Sequence, residues 1–194
     1  NIKEFFINDD FSLHNLKETT KLPSIKTNNT NIKKTFDSEY TAHKKRLNYI
    51  HKSGILKINE NTKVLEIGFE SGGASIFAFE KLGLKTIGID NLYNLKHEKE
   101  LWTPEIKHNY NFFNSKAILK YGDITKKTTF NENSIDIIYS ASVLEHIQSL
   151  DKAFKECHRI LKPGGIMMHS YHPFYSYNGG HALCIPDYPW GHIL

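Results

Sequence analysis

Cysteine and arginine are nearly missing from this chain of 194 residues: Cys157 and Cys184 are its two cysteines, Arg46 and Arg159 its two arginines. Two cysteines cannot build a dense disulfide framework, so a reducing, cytoplasmic setting is expected. Arginine is the residue suited to bidentate contacts with phosphate and guanine, so nucleic acid is not an expected partner. The balance of 25 basic against 21 acidic side chains, +4 overall, is too mild to argue otherwise. No apolar run approaches the ~20 residues that cross a bilayer, so no membrane partner is expected either. The start, Asn1-Ile2-Lys3-Glu4, has neither the apolar stretch of a secretion signal nor an initiator Met, as expected of a trimmed product. The chain holds no internal repeat.

Hydrophobic residues at 39% and aromatics at 12% suffice for a core and exclude a disordered chain. A domain of this length buries roughly 70% of its unfolded surface. Residues 1–35 are polar and irregular, and Thr27-Asn28-Asn29-Thr30-Asn31 reads as loop. Helical spacing begins at Asp37, with Tyr40, His43, Leu47 and Ile50 on one side and Gly54 as the stop. An α/β rhythm follows. Short apolar runs predict strands over 64–67, 86–89, 117–121, 135–139 and 166–168. Helices are predicted from Ala74 to a stop at Gly83, and from Leu150 to a stop at Pro163-Gly164-Gly165. Residues 91–114 read as helix and loop broken by Pro104.

Strands alternating with helices predict an α/β fold: a doubly wound, mainly parallel sheet with helices on both faces. Such sheets take ligands beyond the carboxyl ends of their strands. Gly68, Gly72 and Gly73 lie between the first strand and its helix. Glycine there lets the backbone approach a ligand, and the first amides of the helix can hold an anionic group. The bland alternative is a tight turn with no ligand. Asp90 closes the second strand, 22 residues after Gly68, where a carboxylate can accept from both ribose hydroxyls. Turn and acid together predict a bound nucleoside. In a dinucleotide fingerprint the second glycine makes room for pyrophosphate. Here Glu70 stands at that place and would repel it. A cofactor bearing sulfonium and ammonium groups suits carboxylates at Glu66 and Glu70.

Several ordered motifs over about 61–170 then carry a resemblance. They are Val64-Leu65-Glu66-Ile67-Gly68 with Gly72-Gly73, Gly88-Ile89-Asp90 and Gly122-Asp123-Ile124. Ile135-Asp136-Ile137-Ile138-Tyr139-Ser140, Val143-Leu144-Glu145-His146-Ile147 and Arg159-Ile160-Leu161-Lys162-Pro163-Gly164-Gly165 complete the set. In this order they resemble the class I S-adenosylmethionine-dependent methyltransferases, which have a Rossmann-like fold. The resemblance implies S-adenosylmethionine as cofactor. Glu66, Gly68 and Gly72 would hold its methionine end, Asp90 its ribose, and Asp123 with Ile124 its adenine; Phe69, Glu70, Asn91 and Ser140 are further cofactor-binding candidates. The family usually has glycine where Glu70 stands. Its sheet usually has seven strands with an antiparallel hairpin at the end, so C-terminal strands are expected to be missing here.

Three regions result: an N-terminal arm and lid helix over 1–60, the cofactor-binding core over 61–170, and an acceptor-recognition segment over 171–194. In the first, Tyr40, His43 and Arg46 either face the cofactor or belong to a packed helix with a basic outer face. The last is rich in His, Tyr and Pro. His146, His172 and His181 are the candidate general bases, since imidazole titrates near neutral pH. His169, His172, His181, His192 and Asp187 follow no recognised ligand spacing, so no metal is expected. Cys157 reads as core rather than nucleophile. The expected reaction is methyl transfer to a small-molecule or glycan hydroxyl. The rivals are an RNA-modifying methyltransferase, a non-catalytic nucleoside-binding module and a dehydrogenase.

Overall fold

The computed structural model describes residues 29–69, 72–91 and 104–173. In chain order these form α1 (Asn29–Lys52), β1 (Lys63–Ile67), α2 (Ala74–Lys81), β2 (Lys85–Asp90) and α3 (Pro104–Phe112). After them come β3 (Ile118–Tyr121), β4 (Ile135–Ala141), a 3₁₀ turn (Leu144–His146), α4 (Leu150–Ile160) and β5 (Leu161–Ser170). The sheet has the order β3-β2-β1-β4-β5, and every pair is parallel. β2, β1 and β4 are its interior strands, and in β1 and β4 residues Val64 to Ile67 and Ile137 to Ser140 are buried. That double burial is why both read in sequence as short continuous apolar runs. Successive strands build outward from β1 to β3, then start again on its other side with β4. The reversal between β1 and β4 opens a crevice at their carboxyl ends.

Helices cover both faces, as the Rossmann-like expectation requires. On one face, Leu47 of α1 and Phe79 of α2 pack with Val64, Ile137 and Tyr139. Beside them Ile76 and Phe77 of α2 meet Ile106 of α3 and Ala117. On the other face, Ala153, Cys157 and Ile160 of α4 lie on Leu65, Ile67, Ile89 and Ile138. These α4 residues recur at three- and four-residue steps, which makes one stripe of the helix apolar. Glu156 shares that stripe because Arg159 neutralises it, with Arg159 Nη2 2.6 Å and Nε 2.8 Å from the carboxylate. Thr128 donates to the same carboxylate through its amide at 2.7 Å and its hydroxyl at 2.6 Å. The hydrogen bonds of Arg159, and secondarily those of Thr128, overcome burial and hold Glu156 down at about 2. This network pins the segment after β3 onto α4. Cys157 is buried, and burial pushes its thiol up to about 12, so it is core material.

Three boundaries differ from the sequence expectation, each for a tertiary reason. α1 begins at Asn29 rather than Asp37, so Asn29 to Asn31 are helix and not loop. Phe36 stacks on Phe113 at 4.4 Å between centroids, and Asn29 Oδ1 lies 3.0 Å from His108 Nε2, which rewards the additional turns. Pro104 opens α3 rather than breaking a helix, since its missing amide costs nothing in a first turn. β5 begins at Leu161, ahead of the Pro163-Gly164-Gly165 stop. Leu161 pairs with Ile135 and the next partners are Ile166 and Ile137, so the Pro-Gly-Gly run is an irregularity carried inside the strand.

Candidate functional site

At the carboxyl edge of the sheet, four strand ends converge on one cavity of about 280 Å³. β1 brings Gly68, β2 brings Asp90 and Asn91, and β3 brings Gly122, Asp123 and Ile124. The loop after β4 supplies Val143, His146 and Ile147 opposite them. The strand ends are held in register by backbone bonds, from Gly68 N to Ile89 O at 2.8 Å and from Gly122 N to Asp90 O at 2.9 Å.

Gly68 has φ +75°, and a Cβ there would run into the side chain of Val143. Both facts require glycine, and the bare backbone forms part of the cavity wall. Gly72 has φ +80° and is clamped from α3, where Asn109 Nδ2 donates to its carbonyl at 2.8 Å. A Cβ on Gly72 would come within 2.8 Å of that nitrogen and 3.0 Å of Glu105 Oε1. α2 then starts after Gly73 with no side-chain cap, which leaves its first amides for a ligand.

Asp90 is buried at the end of β2. Asp123 is shaped by its neighbours: Thr125 donates to Oδ1 through its amide at 2.9 Å and its hydroxyl at 2.6 Å, and Lys126 Nζ lies 3.2 Å from Oδ2. Burial acts to raise its pKa, but the bonds from Thr125 and the charge of Lys126 prevail and hold it below the usual carboxylate value.

Glu66 is buried on β1, 5% exposed, and its Oε2 has no hydrogen-bond partner among the described residues. Burial, with the like charges of Glu39 and Asp90, pushes it up to about 8. A carboxyl group in that state is suited to a cation arriving from outside. Glu39 reaches this region from α1, where its Oε2 accepts from Ser75 Oγ at 3.0 Å. His43 is fully buried against Phe79, with ring centroids 3.8 Å apart, and its Nε2 is 3.3 Å from Glu39 Oε2. α1 therefore flanks the β1 end and packs along α2.

Of the residues singled out in the sequence, Gly68, Asp90, Asn91, Asp123, Ile124 and His146 line the cavity together. Gly72 and Glu66 are not among its lining residues. Phe69 is in the core with Ile76 and Phe77, so only its backbone is free to serve a ligand. Ser140 is fully buried and bonded to His169 Nδ1 at 2.7 Å, away from the lining residues. His172 is exposed, and its amide donates to Glu145 Oε1 at 3.2 Å, which ties the tail to the loop after β4. Glu70, His181, His192 and Asp187 lie outside the described residues. Sequence reasoning missed Thr125 and Glu39, and had Val143 only as part of the motif after the fourth strand. Thr125 had a signal, because an Asp followed two residues later by Thr bonds to itself locally. Glu39 had none, since its partner Ser75 is 36 residues away.

A family model described as a methyltransferase domain matches residues 65–169, more than half of the chain. A phosphoethanolamine N-methyltransferase of Plasmodium falciparum is 32% identical over 163 residues, 72% of this chain and 57% of the relative. A sterol 24-C-methyltransferase of Kluyveromyces lactis is 28% identical over 131 residues, 68% of this chain and 32% of the relative. The chain thus spans little more than half of one curated relative and about a third of the other. Among solved structures, a putative S-adenosyl-L-methionine-dependent methyltransferase from Methanococcus maripaludis matches with a TM-score of 0.55 at 24% identity, over 72% of this chain and 58% of that one. That likeness is one of fold.

Proposed function

The chain belongs to the family of S-adenosylmethionine-dependent methyltransferase domains, and we propose that it transfers a methyl group to a small-molecule acceptor bound over the carboxyl edge of its sheet. S-adenosylmethionine is the cofactor of this domain. The observation that carries the proposal is the convergence of Gly68, Asp90, Asp123 and His146 from four separate strand ends on one cavity. The residues present suit the cofactor: buried carboxylates for hydroxyl and ammonium groups, and an orphaned Glu66 Oε2 where a cation is wanted.

When bound, the donor supplies a methyl group on a cationic sulfur, open to in-line displacement. Asp90 would accept from the ribose hydroxyls, with Asn91 beside it. Asp123 and Ile124 would flank the adenine. Glu66, with the backbone at Gly68 and Gly72, would take the methionine end. These residues fix the donor so that an acceptor meets the methyl group in line, which is mainly a proximity effect. His146 would accept the acceptor's proton, with His172 and His181 as further candidates from the tail.

By their names, the curated relatives act on a nitrogen of phosphoethanolamine and a carbon of sterols. They support a small-molecule acceptor over RNA, and they give no support to the hydroxyl or glycan acceptor that the sequence suggested. Among the described residues no helix is long and apolar enough to cross a membrane. A cytoplasmic setting belongs to the same proposal.

The test is a labelled-donor screen against amines, sterols, hydroxyl-bearing metabolites, glycans and RNA. Label on a small molecule supports the reading, and label on RNA overturns it. His146→Ala is expected to lower turnover while S-adenosylhomocysteine affinity changes little. If the protein gives no calorimetric signal with S-adenosylhomocysteine, the cavity is not a donor site.

A further inference from the structure

Between Glu39 and Glu60 the chain has no acidic residue, yet it carries Lys44, Lys45, Arg46, Lys52 and Lys57. Arg46 is engaged on its own helix, with Nη1 3.2 Å from Nδ1 of buried His43. The four lysines are exposed, and none of them forms an ion pair among the described residues. α1 buries His43, Leu47 and Ile50. At 3.6 residues per turn, Lys45 and Lys52 fall on the side of the helix away from that stripe, with Lys44 and His51 on one flank.

That flank and the end of α2 enclose an open cavity of about 580 Å³. Leu47, Ile58 and Leu82 are its apolar part, Lys44, Lys45 and His51 its basic part, and no acidic side chain lines it. The amide of Ile58 donates to His51 Nδ1 at 3.2 Å and ties the following loop to α1. Glu80, one turn of chain before Leu82, is engaged elsewhere: its Oε1 accepts from the amide of Lys116 at 2.6 Å and its Oε2 from Ser115 Oγ. Two large apolar side chains stand out of the same region, Tyr49 of α1 at 70% exposure and Ile55 of the loop at 52%. Ile58 comes five residues before β1 begins at Lys63, and α2 ends four residues before β2 begins at Lys85. The face therefore lies at the amino edge of the sheet, opposite the edge that carries Asp90 and Asp123.

We infer that this face docks on a bilayer containing anionic phospholipid, with Lys44, Lys45, Lys52 and Lys57 against the lipid phosphates and Tyr49 and Ile55 at the level of the headgroups. The charge is complementary, and it is carried by lysine. An ammonium group is a compact charge on a flexible stem, which pairs with phosphates in any arrangement, whereas RNA contacts favour the planar fork of arginine. The apolar side chains separate a bilayer from an acidic peptide. Tyr49 and Ile55 do not line the cavity, so a peptide seated there would leave both in water. A surface that meets the whole face covers them as well, and an amphipathic tyrosine suits the boundary between headgroups and acyl chains. No apolar run of the sequence crosses a bilayer, which spoke against a membrane partner, but docking on a surface asks only for charge and a few apolar side chains. Docked in this way, the molecule keeps its carboxyl edge open to water. The inference does not rest on the donor reading.

The experiment is co-sedimentation of the full chain with vesicles of phosphatidylcholine, alone or with about 30% phosphatidylserine, in about 0.1 M salt. Wild-type protein is expected to bind the mixed vesicles and not the neutral ones, and to be released at about 0.5 M salt. Lys44→Ala and Lys45→Ala should each lower the partition coefficient about fivefold, and together about twenty-five-fold. Ile55→Ser should lower it about threefold and leave its salt dependence unchanged. All are exposed positions, so the thermal midpoint by circular dichroism should stay in place. If Lys44→Ala disturbs the fold, Lys52→Ala and Lys57→Ala test the same charge from outside the cavity. Failure to bind the mixed vesicles, equal binding to both kinds, or binding that survives loss of the lysines overturns the proposal. Tighter retention on polyglutamate or on RNA than on the mixed vesicles overturns it too, and assigns the face to an acidic polymer.

Discussion

At the end proposed for the adenosine, Asp90 and Asp123 stand near the ends of β2 and β3 and line the cavity. At the end proposed for the methionine, Glu66 is buried on β1, and Glu39 of α1 is bonded to Ser75 and close to His43. The first end is made by the chain's local course. Asp90 is the last residue of β2, Asp123 comes two residues after β3, and Thr125 satisfies Asp123 from two residues away. The second is made by packing, with partners that are distant in sequence. One end offers Asp123, whose carboxyl is held below its usual value by Thr125 and Lys126. The other offers Glu66, whose carboxyl is pushed up to about 8 by burial and like charges. The difference teaches that acid residues in one site can bind the same ligand by unlike physics, because burial decides which form is present.

The largest effect expected on this contrast comes from the turn between the two ends. Gly68→Ala places a side chain at positive φ and against Val143. The cost is ~2–4 kcal/mol in folding stability, read from the urea midpoint. Adding Val143→Ala should recover the steric part and leave the backbone part. Full recovery would show that conformation is not what demands glycine there. Next is Asp90→Ala, expected to weaken S-adenosylhomocysteine by ~1–3 kcal/mol, or about five- to 150-fold, by calorimetry. Unchanged affinity would remove the ribose assignment.

A smaller effect separates the ends by pH. Burial, then Glu39 and Asp90, raise Glu66 in the folded state to about 8, above its ordinary 4.5. Between those values the folded protein binds more protons than the unfolded chain, so unliganded stability falls as pH rises through this window and is flat above it. The thermal midpoint of the free protein should decline from pH 5 to pH 8, and Glu66→Gln should flatten the curve. A rise over the same range would contradict the buried, protonated Glu66. Glu156 does not interfere, since its lowered value near 2 confines its contribution to acid, where stability is lost as pH falls.

The smallest effect belongs to the adenosine end. Asp123→Asn gives up charge-assisted bonds from Thr125, for about 1 kcal/mol at pH 7. Because Asp123 is lowered and not raised, that stability is present at neutral pH and lost as pH falls through its own value. The melting difference between variant and wild type should therefore shrink toward pH 3. A difference that grows in acid would place Asp123 with Glu66 in kind.

The strands and the cavity wall were legible because their signals are local. A parallel strand buried on both faces has to be a run such as Ile135 to Tyr139, and the ligand edge follows from strand direction. Asp90, Asp123 and His146 could thus be placed in one site before any coordinates were known. The start of α1 was not legible, because Asn29 to Lys34 have no strong helical pattern of their own. Those turns gain their stability from Phe36 on Phe113 and Asn29 at His108. Pro104 and the Pro163-Gly164-Gly165 run misled for a related reason: their meaning depends on which turn of a helix, or which strand partner, they meet. The partner of Ser140, His169 Nδ1, was likewise not legible, because it stands 29 residues away on β5.

By itself, the order of apolar runs, glycines and strand-end acids determined the parallel sheet, its ligand edge and the nucleoside chemistry of that edge. Backbone hydrogen bonding and burial act on every chain with this pattern in the same way. Only the tertiary structure decided that α1 would bring Glu39 to Ser75 at the start of α2, and that burial would push Glu66 up to about 8. Those properties depend on distances between side chains far apart in sequence, and on water excluded by their packing, and neither quantity exists until the chain has folded.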